Sequence, residues 1–176
     1  MFSLALKYDT AELTGPHDDC DYTPAKYPQV LGLLSHLCDA LEETGAVRFE
    51  VIAFADEPWP VDVRCDLSVV LKQVPEVLQA VRSPETREFE LSFYEQGIER
   101  DLLFTKGPSN RIAVDFSTRL EWHPPRSVEN IDTEALERQL VTLVEDFVRS
   151  ARIVCPLAAG SQTFREWLAG MDIQEK

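Results

Sequence analysis

The sequence predicts an α+β fold: a single, mainly antiparallel sheet of about five strands, with a three-stranded meander at its centre and helices packed on one face. Three observations carry this. Phe89, Leu91 and Phe93 alternate with polar neighbours, as do Ile112, Val114 and Phe116, and period-two alternation puts one apolar row on one face of a pleated strand. Gly97 and the Gly107-Pro108-Ser109-Asn110 cluster stand between the alternating runs, where hairpin turns are needed. Three further stretches, after Pro28, after Asp66 and after Thr133, carry apolar residues at helical spacing.

In chain order, Phe2, Leu4, Leu6 and Tyr8 alternate with small or polar residues and predict a first strand. Residues 10–23 are rich in Asp, Gly and Pro and read as a loop. Pro24 or Pro28 can open a helix, since proline is tolerated in the first turn. Val30, Leu31, Leu33, Leu34, Leu37, Cys38 and Leu41 form its apolar stripe, and Gly45 is placed to cap its C-terminus. A second strand is expected over Ala46–Phe54, followed by a rigid loop, Asp56-Glu57-Pro58-Trp59-Pro60. Asp66 reads as the N-cap of the next helix, which runs over Leu71, Val74 and Leu78 with Pro75 inside it. A proline there predicts a kink or two short helices. After the meander, Trp122-His123-Pro124-Pro125 excludes regular structure. Thr133 then caps a long helix over Leu136, Leu140, Leu143 and Phe147, which Cys155-Pro156 ends, and a short helix over Phe164, Trp167 and Leu168 closes the chain. No repeat or linker divides residues 1–176, so one domain is expected.

The chain is ordinary in its 44% hydrophobic and 27% charged residues but not in its charge balance: 31 acidic against 17 basic residues, a net charge of -14. Abundant, periodic apolar residues exclude disorder as the origin of that charge. Acidity argues against binding nucleic acid or an anionic membrane, because phosphate recognition needs a basic footprint. A basic protein partner, steered in by the field, fits. Residues 1–60 hold 11 acids and 3 bases, so about a third of the chain carries more than half of the excess.

Four cysteines, Cys20, Cys38, Cys65 and Cys155, form no Cys-x-x-Cys pair, and four is few for a disulfide scaffold. The N-terminus has no basic region followed by a long apolar run, so it reads as neither signal peptide nor membrane span. The expectation is a cytoplasmic protein with four free thiols.

His17-Asp18-Asp19-Cys20-Asp21 gathers a histidine, a cysteine and three carboxylates, residue types that zinc uses. A structural site needs a second ligand pair, and His36 with Cys38 is the nearest, inside a helix with Cys38 on its buried side. An acidic surface loop is therefore expected, with no metal and no cofactor. Asp56, Glu57, Asp62 and Asp66 surround Trp59. The plain reading is a helix N-terminus enriched in acids. An aromatic anchor ringed by negative charge comes second, and acid–base or magnesium chemistry a distant third. The wet face of the meander presents Glu90, Ser92 and Tyr94 with Glu99 or Asp101, Asp115 and Ser117, a natural docking surface. Neither Gly-x-Ser-x-Gly nor Gly-x-Gly-x-x-Gly occurs, so nucleophilic and dinucleotide chemistry have no support.

In size, acidity and lack of catalytic motifs the chain resembles the immunity proteins that neutralise bacterial polymorphic or contact-dependent toxins. The resemblance is one of general character and carries no residue across. It implies a cofactor-free inhibitor that caps a basic toxin. The contact residues expected are Asp56, Glu57, Trp59 and Asp62, then Tyr94, Glu99 and Asp101 on the meander. The alternatives are a small enzyme working through the carboxylates near Trp59 and an oligomeric adaptor protein.

Overall fold

Alternation and helical stripes become six strands and five α-helices in the computed structural model, which describes residues 2–9, 11–13, 20, 22–55, 58–94 and 98–173. The order is β1 (Ser3–Tyr8), α1 (Val30–Glu43), β2 (Val47–Ile52), α2 (Ser68–Arg82), β3 (Glu88–Phe93), β4 (Arg100–Lys106), β5 (Arg111–Thr118), β6 (Glu129–Asp132), α3 (Thr133–Val154), α4 (Pro156–Ala159) and α5 (Gln162–Ala169). The α+β class and the β3–β4–β5 meander are as expected. The single sheet is not. β1 and β2 form an antiparallel pair of their own, and β3-β4-β5-β6 form a separate antiparallel sheet.

The division has a hydrogen-bonding cause. An unpaired strand edge recruits another strand unless something occupies it. Along β2, the Trp59 N–H donates to the Val51 carbonyl at 2.8 Å, so the proline-flanked segment lies on the edge that a third strand would need. Along β1, the Gln139 side chain of α3 accepts from the Leu4 N–H at 3.1 Å and donates to the Phe2 carbonyl at 3.4 Å. Gln73 of α2 does the same for β3, donating to the Ser92 carbonyl and accepting from the Ser92 N–H, both at 2.9 Å. Each glutamine amide stands in for the peptide group of a missing neighbour strand.

The two sheets meet through side chains instead. Phe2 packs edge-on to Phe104, Phe54 lies against Phe116, and Trp59 against Phe93. The apolar face of the larger sheet is thus covered partly by the smaller sheet and its following turn, and partly by helices; α2 packs on β3, and α3 on β1 and β6. Leu71, Val74, Leu78, Leu140, Leu143 and Phe147 are all fully buried, as their periodicity requires. Truncating Leu143 to alanine should lower the unfolding free energy by about 2–5 kcal/mol, read as a fall in the urea midpoint at unchanged slope. A midpoint equal to that of the parent chain would contradict this burial.

Several local expectations change. A π-helical turn, Val63–Leu67, precedes α2, and its N-cap is Asp62, not Asp66: one Asp62 oxygen accepts from the N–H groups of Cys65 and Asp66. Asp66 is buried and accepts from the Asp62 N–H at 2.9 Å, a reciprocal cap. α2 runs unbroken through Pro75 rather than splitting in two. Proline leaves the carbonyl four residues earlier without its helical donor; that carbonyl belongs to Leu71, and the Trp167 indole N–H of α5 donates to it at 3.2 Å. At the other end of α2, the Lys106 ammonium of β4 donates to the carbonyls of Ala80, Val81 and Ser83 at 2.6–2.8 Å, a cation at the negative end of the helix. Burial pushes the Lys106 pKa below its ordinary value. Thr133 is the first residue of α3 rather than its cap, and its hydroxyl donates to the Asn110 carbonyl. Gly45 terminates α1 as expected, with φ of 66°, a conformation glycine adopts without Cβ strain.

Candidate functional site

The carboxylate cluster around Trp59 does not form an exposed anchor. Trp59 is only 4% exposed. Its ring meets Phe93 and Trp122, each at 5.4 Å between centroids, and the Arg100 guanidinium lies 4.8 Å from it and 3.8 Å from Trp122. A partner cannot reach this ring without unpacking the core, which corrects the anchor expected from sequence. Asp62 is exposed, but its carboxylate caps the helical turn, and Asp66 is held in the reciprocal bond. Asp56 and Glu57 lie outside the described residues. The described carboxylates of this cluster, Asp62 and Asp66, are thus acceptors for backbone N–H groups.

The outer face of the four-stranded sheet is different. Strand register puts Glu90, Leu103 and Asp115 in one cross-strand row and Ser92, Asp101 and Ser117 in the next. A third row joins Glu88, Thr105, Ala113 and Asn130, and Arg111 faces Asp132 at the far end. Glu88, Glu90, Asp115 and Asp132 are exposed, while Asp101 and the central Leu103 are half-buried. Neighbours in such rows stand about 5 Å apart, with diagonal neighbours within about 8 Å, so Asp101 is the diagonal neighbour of both Glu90 and Asp115 and repels each. Among the described residues none of Glu88, Glu90, Asp101 and Asp115 makes an ion pair. Tyr94, 52% exposed, continues the outward parity of β3. Glu99 is half-buried beside it, with a left-handed φ of 41° and a carbonyl that accepts from Arg119 N–H and the Thr118 hydroxyl.

Of the expected contact residues, Tyr94, Glu99 and Asp101 therefore lie together at one end of this sheet, while Trp59 is packed beneath it and the exposed Asp62 caps the turn before α2. Sequence reasoning missed Glu88, Leu103 and Asp132 on the same face. Asp132 needed β6, which was unrecognised because its inward row includes a buried carboxylate, Glu129.

The cysteines also depart from expectation. Cys20 and Cys155 are joined by a disulfide, with Cα atoms 5.6 Å apart and 135 residues between them in sequence. The expectation of four free thiols holds for Cys38 and Cys65 only. Spacing gave no hint of the bond because its partners come from the N-terminal loop and the α3–α4 junction. The cytoplasmic expectation drew in part on cysteine spacing that suggested no disulfide, and that part loses its support at this pair. No helix among the described residues is long and apolar enough to cross a membrane. Cys38 is fully buried, and that burial, with Asp39 and Asp62 adding to it, pushes its thiol pKa well above the ordinary value. It is therefore a poor nucleophile. Beside the disulfide stands His36 of α1, and one ligand atom from each of Cys20, His36 and Cys155 lies within 4.8 Å of the others. The partner of Cys20 and His36 in this cluster is Cys155 rather than Cys38. His17, Asp18, Asp19 and Asp21 lie outside the described residues.

These features define an α+β protein of two separate antiparallel sheets, one of which exposes an acidic outer face. No protein-family model, curated protein or solved structure matches the chain.

Proposed function

We propose that the chain is a protein-binding protein that receives a basic protein on the outer face of its four-stranded sheet, as an immunity protein receives a toxin. One observation carries the reading. Glu88, Glu90, Asp101 and Asp115 share a sheet face without ion pairs among the described residues. A folded domain tolerates mutual repulsion of this kind at some cost in stability, and a cationic partner turns it into attraction and a faster encounter. Leu103 at the centre and Tyr94 at the end supply apolar area for short-range packing, tyrosine being a common interface anchor.

The test begins with capture of a basic partner by the intact chain and continues with binding kinetics. Neutralising Glu90, Asp101 and Asp115 together (Glu90→Gln, Asp101→Asn, Asp115→Asn) should lower the association rate roughly tenfold or more at low salt. It should also flatten the salt dependence between 0.01 M and 0.1 M, over which the screening length falls from about 30 Å to about 10 Å. Tyr94→Ala should chiefly raise the dissociation rate. A partner whose association ignores both salt and the triple change docks elsewhere, and this reading then fails.

A further inference from the structure

We propose that Cys20, His36 and Cys155 form a zinc site when the Cys20–Cys155 disulfide is reduced, so that the same three residues carry either of two cross-links. The cluster joins three parts of the chain: the N-terminal loop at Cys20, α1 at His36 and the α3–α4 junction at Cys155. Two thiolates and an imidazole are a standard donor set for Zn2+, with water completing the tetrahedron. Zn–S bonds of about 2.3 Å at a tetrahedral angle hold the two sulfurs about 3.8 Å apart, a separation that side-chain rotation reaches from Cα atoms 5.6 Å apart.

The histidine is already oriented for this role. Its Nδ1 lies 3.1 Å from the Tyr27 hydroxyl, and its ring stacks on Tyr27 with centroids 4.5 Å apart. Tyr27 in turn stacks on Tyr22, two residues from Cys20. Metal-bound histidines commonly donate the second ring N–H to an oxygen, which fixes ring and tautomer. In the tautomer that carries its proton on Nδ1, that N–H donates to Tyr27 and Nε2 is left to bind the metal. Cys155 is buried, and Cys20 and His36 are half-buried, a setting that limits competition from bulk water.

The exchange balances. A dithiol reduces the bond, passing two electrons and two protons to Cys20 and Cys155 as it closes its own disulfide. Zn2+ then displaces the two thiol protons, forming two Zn–S bonds, and His36 adds as a neutral ligand. Oxidation reverses this: two electrons leave the sulfurs for an acceptor disulfide, the S–S bond re-forms, and Zn2+ departs.

The test uses the full chain with Co2+ as the spectroscopic probe. Chain reduced with a phosphine under anaerobic conditions should take up one equivalent of Co2+, with thiolate-to-cobalt charge-transfer bands and the intense visible bands of a tetrahedral site, and Zn2+ should bleach both. The oxidised chain should take up none. Cys20→Ser and Cys155→Ser should abolish the charge-transfer signal, whereas Cys38→Ser and Cys65→Ser should leave it intact. His36→Asn should shift the visible bands and weaken binding, and Tyr27→Phe should cost about 10–100-fold in affinity while the bands stay tetrahedral. Zn2+ should also raise the melting temperature of the reduced chain and not that of the oxidised chain. The proposal is overturned if the folded, reduced chain binds no Co2+, if the oxidised chain binds it equally well, or if the signal depends on Cys38 and Cys65 instead. Failure of the acidic-face reading leaves this outcome untouched, because neither test uses a residue of the other.

Discussion

Trp59→Ala should lower the unfolding free energy by about 3–5 kcal/mol, the range for removing a buried large aromatic. The side chain fills the seam between the turn after β2 and the four-stranded sheet, against Phe93 and Trp122, and it supplies one of the two ring systems against the Arg100 guanidinium. Truncation therefore opens a cavity, weakens a cation–π contact in a largely dry site, and loosens the segment whose Trp59 N–H occupies the open edge of β2. At this chain length each kcal/mol moves the melting temperature by roughly 2–4 °C, so a fall of roughly 6–20 °C is expected. Urea unfolding at constant slope is the direct measurement. An exposed binding anchor behaves in the opposite way: its truncation leaves stability within about 0.5 kcal/mol and weakens only a complex. That outcome would reinstate Trp59 as a contact residue and contradict its burial.

Breaking the Cys20–Cys155 link in metal-free buffer should cost about 2–5 kcal/mol. The bond ties residues 135 apart in sequence, and the entropy it removes from the unfolded chain grows with the closed loop, to about 4.7 kcal/mol at 25 °C for a loop of 100 residues. It also holds Cys20 to the end of α3. Urea melts of the oxidised chain, the phosphine-reduced chain with a chelator, and the Cys20→Ser/Cys155→Ser double variant provide the comparison. The last two should agree with each other and lie below the first. Coincident midpoints in all three would mean that the native chain does not hold this bond. Recovery of the reduced chain on adding Zn2+, and not of the double variant, belongs to the metal site proposed above.

How much of this was legible follows from which interactions are local. Alternation at Phe89, Leu91 and Phe93 and at Ile112, Val114 and Phe116, with turn residues between, placed the meander and its two faces, because side-chain parity along a strand is a property of the strand alone. Helical spacing placed Leu71, Val74, Leu78, Leu140, Leu143 and Phe147 in the core for the same reason. Gly45 at the end of α1 was legible because a left-handed cap needs that residue type. The outward positions of Glu90 and Asp115 followed from parity as well, whereas the choice between Glu99 and Asp101 on β4 needed the strand register.

What the pattern did not contain was settled by partners distant in the chain. Whether β2 pairs onward is decided by Trp59 folding back on its edge, and whether β1 or β3 does is decided by Gln139 and Gln73, whose amides are unremarkable polar residues until a helix is laid beside a strand. Trp59 reads as an anchor because acids surround it in sequence, but two of them, Asp62 and Asp66, cap a helical turn while the indole turns inward against Phe93 and Trp122. Pro75 reads as a kink or a break, yet the helix is continuous, and Trp167, from the far end of the chain, supplies a hydrogen bond to the carbonyl that proline leaves without its helical donor. Cys20 and Cys155 read as isolated thiols because no local spacing relates them. The sequence by itself determined which residues alternate, cap and turn, since those depend on neighbours within a few positions. The tertiary structure alone decided which edges close, which aromatic is buried and which sulfurs meet, since each of those is a contact between segments brought together only by packing.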